Sequence, residues 1–186
     1  MALSWALALC MIAASLPGSV SAGMPQADPW ILVDAEGQTL SVFRGDELID
    51  RFDDIAIGRG GVSSNRTRGD GTTPSGTFHI DRIRPSSRFV LFFGIDFPRP
   101  EHARRALDGG RIDDRDYRRI IAAFERNESP PQDTPLGGQL GIHGLGTADE
   151  TVHQSLNWTQ GCIALTNAQI KRLSKWVYRG MRVEIR

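Results

Sequence analysis

The first 22 residues, Met1 to Ala22, carry no charged side chain, and 16 of them are apolar. How this segment is read decides how many cysteines the folded chain has. Its apolar core, Leu3 to Leu16, falls short of the roughly 20 residues that span a bilayer. Pro17-Gly18 then breaks it ahead of the small residues Ser19-Val20-Ser21-Ala22. The pattern predicts an export signal over residues 1–22, with cleavage after Ala22 at a small-x-small site. An uncleaved anchor is the alternative, because no Lys or Arg precedes the apolar core. Cys10 leaves with the signal. It is a poor lipidation site, since Leu9 stands where a small residue is expected. One cysteine, Cys162, then remains. A lone cysteine closes no internal disulfide, so the mature chain must fold on packing, with Cys162 a buried bystander, an intermolecular link or a reactive thiol.

The full chain of 186 residues balances 22 basic against 22 acidic side chains, which argues against a dedicated nucleic-acid binder. Its 20 Gly and 10 Pro are too few for a collagen-like or low-complexity chain. Length fits one globular domain, here residues 30–186 after a short segment 23–29. Strand-like runs are predicted at Trp30–Val33, Thr39–Phe43, a segment ending Ile55–Ile57, Thr77–Ile83 and Arg88–Ile95, separated by Gly- and Asp-rich turns. A Gly-rich loop covers 58–76. Further strands are expected at Gln139–His143, Ile163–Leu165 and Met181–Ile185. Helices are expected at Asp149–Leu156 and, capped by Asn167, from Ala168 to Tyr178.

Residues 98–128 differ in kind, with 15 of 31 side chains charged and Ile120, Ile121 and Phe124 at helical spacing. They read as a helical insertion of one or two helices. It is either a solvated excursion or a cover over a substrate groove, since long excursions from compact domains often serve function.

Cys162 stands in Thr159-Gln160-Gly161-Cys162-Ile163, and His143 in Gly141-Ile142-His143-Gly144. Glycine before the sulfur lets a carbonyl approach closely. If the fold joins the two, they form a thiol nucleophile and its base, with backbone N–H groups at Gly161 and Cys162 as oxyanion donors. Against this stand a buried apolar cysteine and a structural histidine, each the commoner role for such a residue alone. A metal site from His143, His153 and Cys162 is disfavoured because its spacings lack the tight pairing usual for zinc.

Three pieces, Thr73-Pro74-Ser75-Gly76-Thr77-Phe78, Ile142-His143-Gly144 and Thr159-x-Gly161-Cys162-Ile163, together resemble the YkuD-type L,D-transpeptidase catalytic domain over about Trp30 to Ile185. The resemblance implies a mainly β, sandwich- or barrel-like catalytic domain with a helical insertion and a C-terminal helix. It further implies an exported enzyme of the bacterial periplasm or cell envelope that acts on peptidoglycan stem peptides without metal or cofactor. Family enzymes attack the bond between the diamino acid and D-alanine of a tetrapeptide stem, forming an acyl-thioester that passes to an amine. Carried over, Cys162 is the nucleophile, His143 the base and the Gly144 carbonyl its orienting group. Gly161 and Cys162 supply oxyanion N–H groups, and Thr159 supports the loop.

Many members have Arg two residues after the cysteine, where this chain has Ala164. Arg59, Arg66, Arg68, Arg82, Arg84 and Arg88 outnumber Asp70 and Asp81 across 59–88, so one of them is a candidate for the missing substrate-binding cation. Ala at this position is similar to the branch of YafK-type proteins. That implies an alternative reaction, hydrolysis of a diamino-acid-linked amide as an amidase or L,D-carboxypeptidase, with an envelope lipoprotein as a further partner. A non-catalytic peptidoglycan-binding module is the reading from another class. His79 and His102 are expected to be surface or structural.

Overall fold

The computed structural model describes residues 27–86 and 88–186. The expected export signal, 1–22, lies outside the described residues. Among the described residues no helix is long and apolar enough to cross a membrane.

Strands β1 (Pro29–Asp34), β2 (Thr39–Arg44) and β3 (Glu47–Phe52) form an antiparallel meander. Two short strands, β4 (Val62–Ser63) and β5 (Thr73–Pro74), pair with each other inside the glycine-rich loop. The long strand β6 (Gly76–Ser86), β7 (Val90–Ile95), β8 (Gly141–Gly144), β9 (Ile163–Leu165) and β10 (Arg182–Ile185) complete one eight-stranded sheet. Its order is β3-β2-β1-β10-β6-β7-β8-β9. The chain is mainly β, as expected.

Alternation places the core. Val42 of β2, Ile31 of β1, Val183 of β10 and Phe78 of β6 are register partners in turn across four strands, and none is exposed. Leu40, Val33 and Ile185 form a parallel row beside them. Each such side chain contributes roughly 1.5–3 kcal/mol on burial, and the one cysteine among the described residues, Cys162, is free.

Strand β6 serves two parts of the sheet. Gly76–His79 pair with β10, while Ile80–Ser86 pair with β7 after a register shift between Ile80 and Arg82. Irregularities of this kind bend a strand. At the far edge, Ala56 exchanges both backbone hydrogen bonds with Ala164 of β9, at 3.0 and 2.7 Å. The stretch after β3 therefore runs from one edge of the sheet to the other, which gives the barrel-like closure.

That stretch corrects the expected third strand. The strand is Glu47–Phe52, not a run ending at Ile57. Asp54 adopts φ 58° and turns the chain, so Ile55, Ala56 and Ile57 are buried as a connecting segment rather than a ladder strand.

The charged insertion forms α1 (Pro100–Asp108) and α2 (Asp114–Glu125), the latter capped by Asp113. Ala103, Ala106, Ile112 and Ile120 are buried in the core, so the excursion is docked. Buried His102 accepts this role too, stacking on Phe78 at 5.2 Å and bonding the Ser75 carbonyl through Nε2 at 3.1 Å. Helix α3 spans Glu150–Ser155 and α4 Asn167–Leu173. The expected cap of α4 was displaced by one residue. Thr166 and Gln169 form a capping box, which frees the Asn167 amide to bond both backbone groups of Gly146, at 2.7 and 2.8 Å.

Candidate active site around Cys162 and His143

Parallel pairing sets the segments that carry His143 and Cys162 side by side. His143 of β8 is the register partner of Ala164 of β9, and Cys162 lies two residues before Ala164, immediately ahead of the strand. Side chains alternate along an extended chain, so Cys162 returns to the sheet face that carries His143.

The imidazole is buried and held from three sides. Its Nδ1 donates to the Gly144 carbonyl at 2.8 Å. Phe89 stacks on the ring at 4.1 Å between centroids, and Trp158 meets it edge-on at 6.3 Å. Burial lowers the His143 pKa, the charges of Arg88 and His153 lower it further, and the bond to Gly144 opposes them. Neutral imidazole with its proton on Nδ1 leaves Nε2 as a proton acceptor.

Phe89 is aimed by a strained turn. Val90 has φ 66°, and the Leu91 N–H donates back to the Phe89 carbonyl at 2.7 Å, closing a γ-turn. A β-branched residue seldom adopts this conformation, and strain of this sort gathers at functional sites. The same carbonyl accepts from the Gly144 N–H at 3.1 Å, tying the turn to the residue that orients the imidazole.

The thiol of Cys162 donates to the Gln139 carbonyl at 3.7 Å. Burial raises its pKa, opposed by a backbone hydrogen bond with Gly141 and by the charge of Arg66. The pair at rest is therefore thiol and neutral imidazole. Gln139 itself sits at φ 55°, and its N–H is caught at 2.5 Å by the Gln132 side chain, which also accepts from Arg82.

Thr159 fastens the cysteine loop. Its hydroxyl donates to the Cys162 carbonyl at 2.7 Å and accepts from the Gly161 N–H at 3.0 Å. The second bond commits the Gly161 N–H that sequence reasoning offered as an oxyanion donor. Gly161 has φ 120°, and a Cβ there would run into the Arg66 guanidinium and the Thr72 carbonyl, so glycine is required by both conformation and space.

The six arginines separate by what they hold. Arg66 is buried and donates to the carbonyls of Thr72 and Gln160, with Asp70 at 3.5 Å. Burial lowers its pKa, and Asp70 and Cys162 oppose this. Although burial raises the Asp70 pKa, bonds from Thr67 and Thr72 and the charge of Arg66 bring it below the ordinary value. Arg66 is thus built into the floor of the cysteine loop, not displayed to a ligand. Arg68 donates to the carbonyls of Gln132 and Thr134, and Arg82 pairs with Asp81 at 3.0 Å. Arg59 packs along Gly71. Arg84 and Arg88 alone of the six line a cleft of about 410 Å³, together with Phe89, Phe92 and Gln139.

Ala164 offers no charge to a substrate. It is fully buried, and both its backbone groups bond Ala56. The helical insertion, for its part, contributes nothing to the lining of that cleft. Arg105 and Arg111 instead reach the carbonyls of Ser64 and Asn65, bracing the loop that carries Arg66. Among the described residues, no three His, Cys, Asp or Glu side chains are grouped to hold a metal ion. Sequence reasoning missed Phe89, Val90, Gln132 and Gln139, none of which carries a motif.

A family model described as the L,D-transpeptidase catalytic domain, YkuD, matches residues 28–185. The chain belongs to this family, whose members are peptidoglycan-active enzymes. Solved structures agree on the fold. Pgp2 of Campylobacter jejuni, described as a helical cell shape determining protein, aligns at TM-score 0.57 and 16% identity, over 87% of this chain and 49% of its own. Bd1075 of Bdellovibrio bacteriovorus aligns at TM-score 0.51 and 18% identity, over 87% of this chain and 48% of its own. The chain thus spans about half the length of these two structures. No curated protein matches it in sequence.

Proposed function

We propose that the protein is a peptidoglycan L,D-transpeptidase using Cys162 as nucleophile and His143 as general base. The observation that carries this reading is the placement of His143 opposite Ala164, with Nδ1 tied to Gly144 and Cys162, the one cysteine among the described residues, two positions before Ala164. Nε2 accepts the thiol proton as sulfur attacks the carbonyl between the diamino acid and D-alanine of a tetrapeptide stem. The Cys162 N–H is the nearby donor for the developing oxyanion, since that of Gly161 is engaged by Thr159. His143 then protonates the departing D-alanine amine, leaving an acyl-thioester. An acceptor amine attacks this thioester, giving its proton to His143, and the thiol is regenerated.

The substitution at position 164 favours a second reading, hydrolysis by the same pair with water as acceptor. Ala164 stands in place of the family arginine, and the helical insertion does not line the cleft of Arg84 and Arg88, so the insertion does not supply there the cover against water that transfer calls for. An amidase or L,D-carboxypeptidase of this kind would release a tripeptide stem or an envelope lipoprotein. In either reading the protein works outside the cytoplasm, in the periplasm or cell envelope, after the signal over 1–22 has directed export.

Digestion of purified murein separates the readings. New 3-3 cross-links or exchanged D-amino acids indicate transfer, whereas tripeptide or lipoprotein release without them indicates hydrolysis. Activity unchanged by Cys162→Ala would contradict both, and murein binding without turnover in the wild type would leave a binding module.

A further inference from the structure

Two guanidinium groups lining the cleft that holds Gln139 have no anion among the described residues. Arg84 lies over the Phe92 ring at 5.1 Å and Arg88 over the Phe89 ring at 4.9 Å. Both aromatic rings also stack with His143, Phe89 at 4.1 Å and Phe92 at 6.4 Å between centroids. Each cation is therefore held one ring away from the imidazole, and cation–π contact limits its wandering. Among the described residues neither arginine has a carboxylate within ion-pair distance, whereas Arg66, Arg82, Arg99, Arg119, Arg126 and Arg172 all do. The cleft they line shares Gln139, whose carbonyl accepts from the Cys162 thiol. Ala164, fully buried and bridged to Ala56 through its backbone, presents no cation there.

We infer that Arg84 and Arg88 form a carboxylate-binding subsite that seats the acidic end of the peptide whose carbonyl meets Cys162. The inference rests on the acyl-transfer reading for the identity of the peptide, but not for the existence of the anion site. Two forks facing one cleft suit a ligand with a carboxylate close to the scissile amide, as a terminal D-amino acid supplies. A bound carboxylate would also offset the charge of Arg88 on His143, so the base becomes a stronger proton acceptor when substrate is seated.

Alkylation of Cys162 tests the site without relying on the natural reaction. Iodoacetate carries a carboxylate and iodoacetamide does not, so the ratio of their rates reads the subsite. The ratio in wild type is expected to exceed that of the Arg84→Gln/Arg88→Gln double variant by about tenfold, the scale of a charge-assisted hydrogen bond. The ratio is the readout because loss of the Arg88 charge acts on His143 in both reactions alike. Arg115→Gln, an exposed arginine of α2, should keep the wild-type ratio. An unchanged ratio in the double variant overturns the subsite, and so does an equal fall in Arg115→Gln, which would mark a bulk charge effect. In wild type alone, N-acetyl-D-alanine should protect Cys162 from iodoacetamide better than its carboxamide does, and equal protection overturns the subsite. A tetrapeptide stem and its C-terminal carboxamide then report on the substrate. Cleavage of the acid at least about tenfold faster by kcat/KM supports the full inference. A lost alkylation ratio with a wild type that cleaves neither peptide keeps the anion site and removes the acyl-transfer reading.

Discussion

His143 donates through Nδ1 to the carbonyl of Gly144 at 2.8 Å, and this one bond settles which ring nitrogen can act. A backbone carbonyl only accepts, so the neutral ring keeps its proton on Nδ1 and turns a lone pair out at Nε2. The carbonyl is fixed in turn. A Cβ at Gly144 would stand 2.7 Å from both Ile170 Cγ2 and the Phe89 carbonyl oxygen. Gly144→Ala is expected to cost about 1–3 kcal/mol through overpacking, measured by urea denaturation, and to slow turnover by tilting the imidazole. His143→Gln should slow turnover by about 10²–10⁴-fold, with circular dichroism unchanged.

Thr159 gives a separable test of the cysteine loop. Its hydroxyl serves Cys162 and Gly161 at once. Thr159→Val leaves both backbone groups without that partner, at an expected cost of about 1–3 kcal/mol. Thr159→Ser keeps the hydroxyl and should restore most of the stability and activity, which a purely apolar role for the side chain would not.

Arg66 is expected to tolerate no replacement by Lys. The guanidinium spans the carbonyls of Thr72 and Gln160 while pairing Asp70, a forked geometry that a single ammonium cannot reproduce. Arg66→Lys should lower the thermal midpoint and slow iodoacetamide alkylation of Cys162, since the charge that opposes its raised pKa is no longer held in place. A variant with wild-type stability and alkylation rate would show that Arg66 does not position the loop.

Stability should fall as the solution is acidified through the histidine range. His102, His143 and His153 all have folded pKa values below the ordinary 6.5, with burial the largest cause. Between the depressed and ordinary values the unfolded chain binds more protons, so stability rises with pH there and is complete above about 6.5. Urea midpoints measured from pH 5 to 7.5 should climb accordingly. The thiol works in the opposite sense: with its pKa raised, alkylation of Cys162 should increase with pH through a value above that of a free cysteine. Removing the Arg88 charge by Arg88→Gln raises the His143 pKa, moving the acid limb of the activity profile to higher pH.

Much of the site could be read in the sequence because its chemistry is local. Gly161-Cys162 and His143-Gly144 each carry their own backbone requirement within two residues, and the strands of the core alternate plainly from Ile31 to Val42. What stayed hidden depends on tertiary placement. Six arginines in one stretch look alike until Arg66 is found buried and Arg84 and Arg88 unpaired. The γ-turn at Val90 runs against residue preference, so no propensity reveals it. Ile55–Ile57 has a strand's composition, yet one positive φ at Asp54 makes it a bridge between sheet edges. The Gly161 N–H looked free because the Thr159 hydroxyl folds back on it only in three dimensions.

The most direct measurement is intact-protein mass spectrometry of the mature chain incubated with a tetrapeptide stem and quenched in acid. A covalent adduct of the tripeptide acyl group is expected on the peptide containing Cys162, sensitive to hydroxylamine as a thioester is, with release of D-alanine and none of either in Cys162→Ala. D-alanine release that persists in Cys162→Ala would contradict the nucleophile assigned to this site.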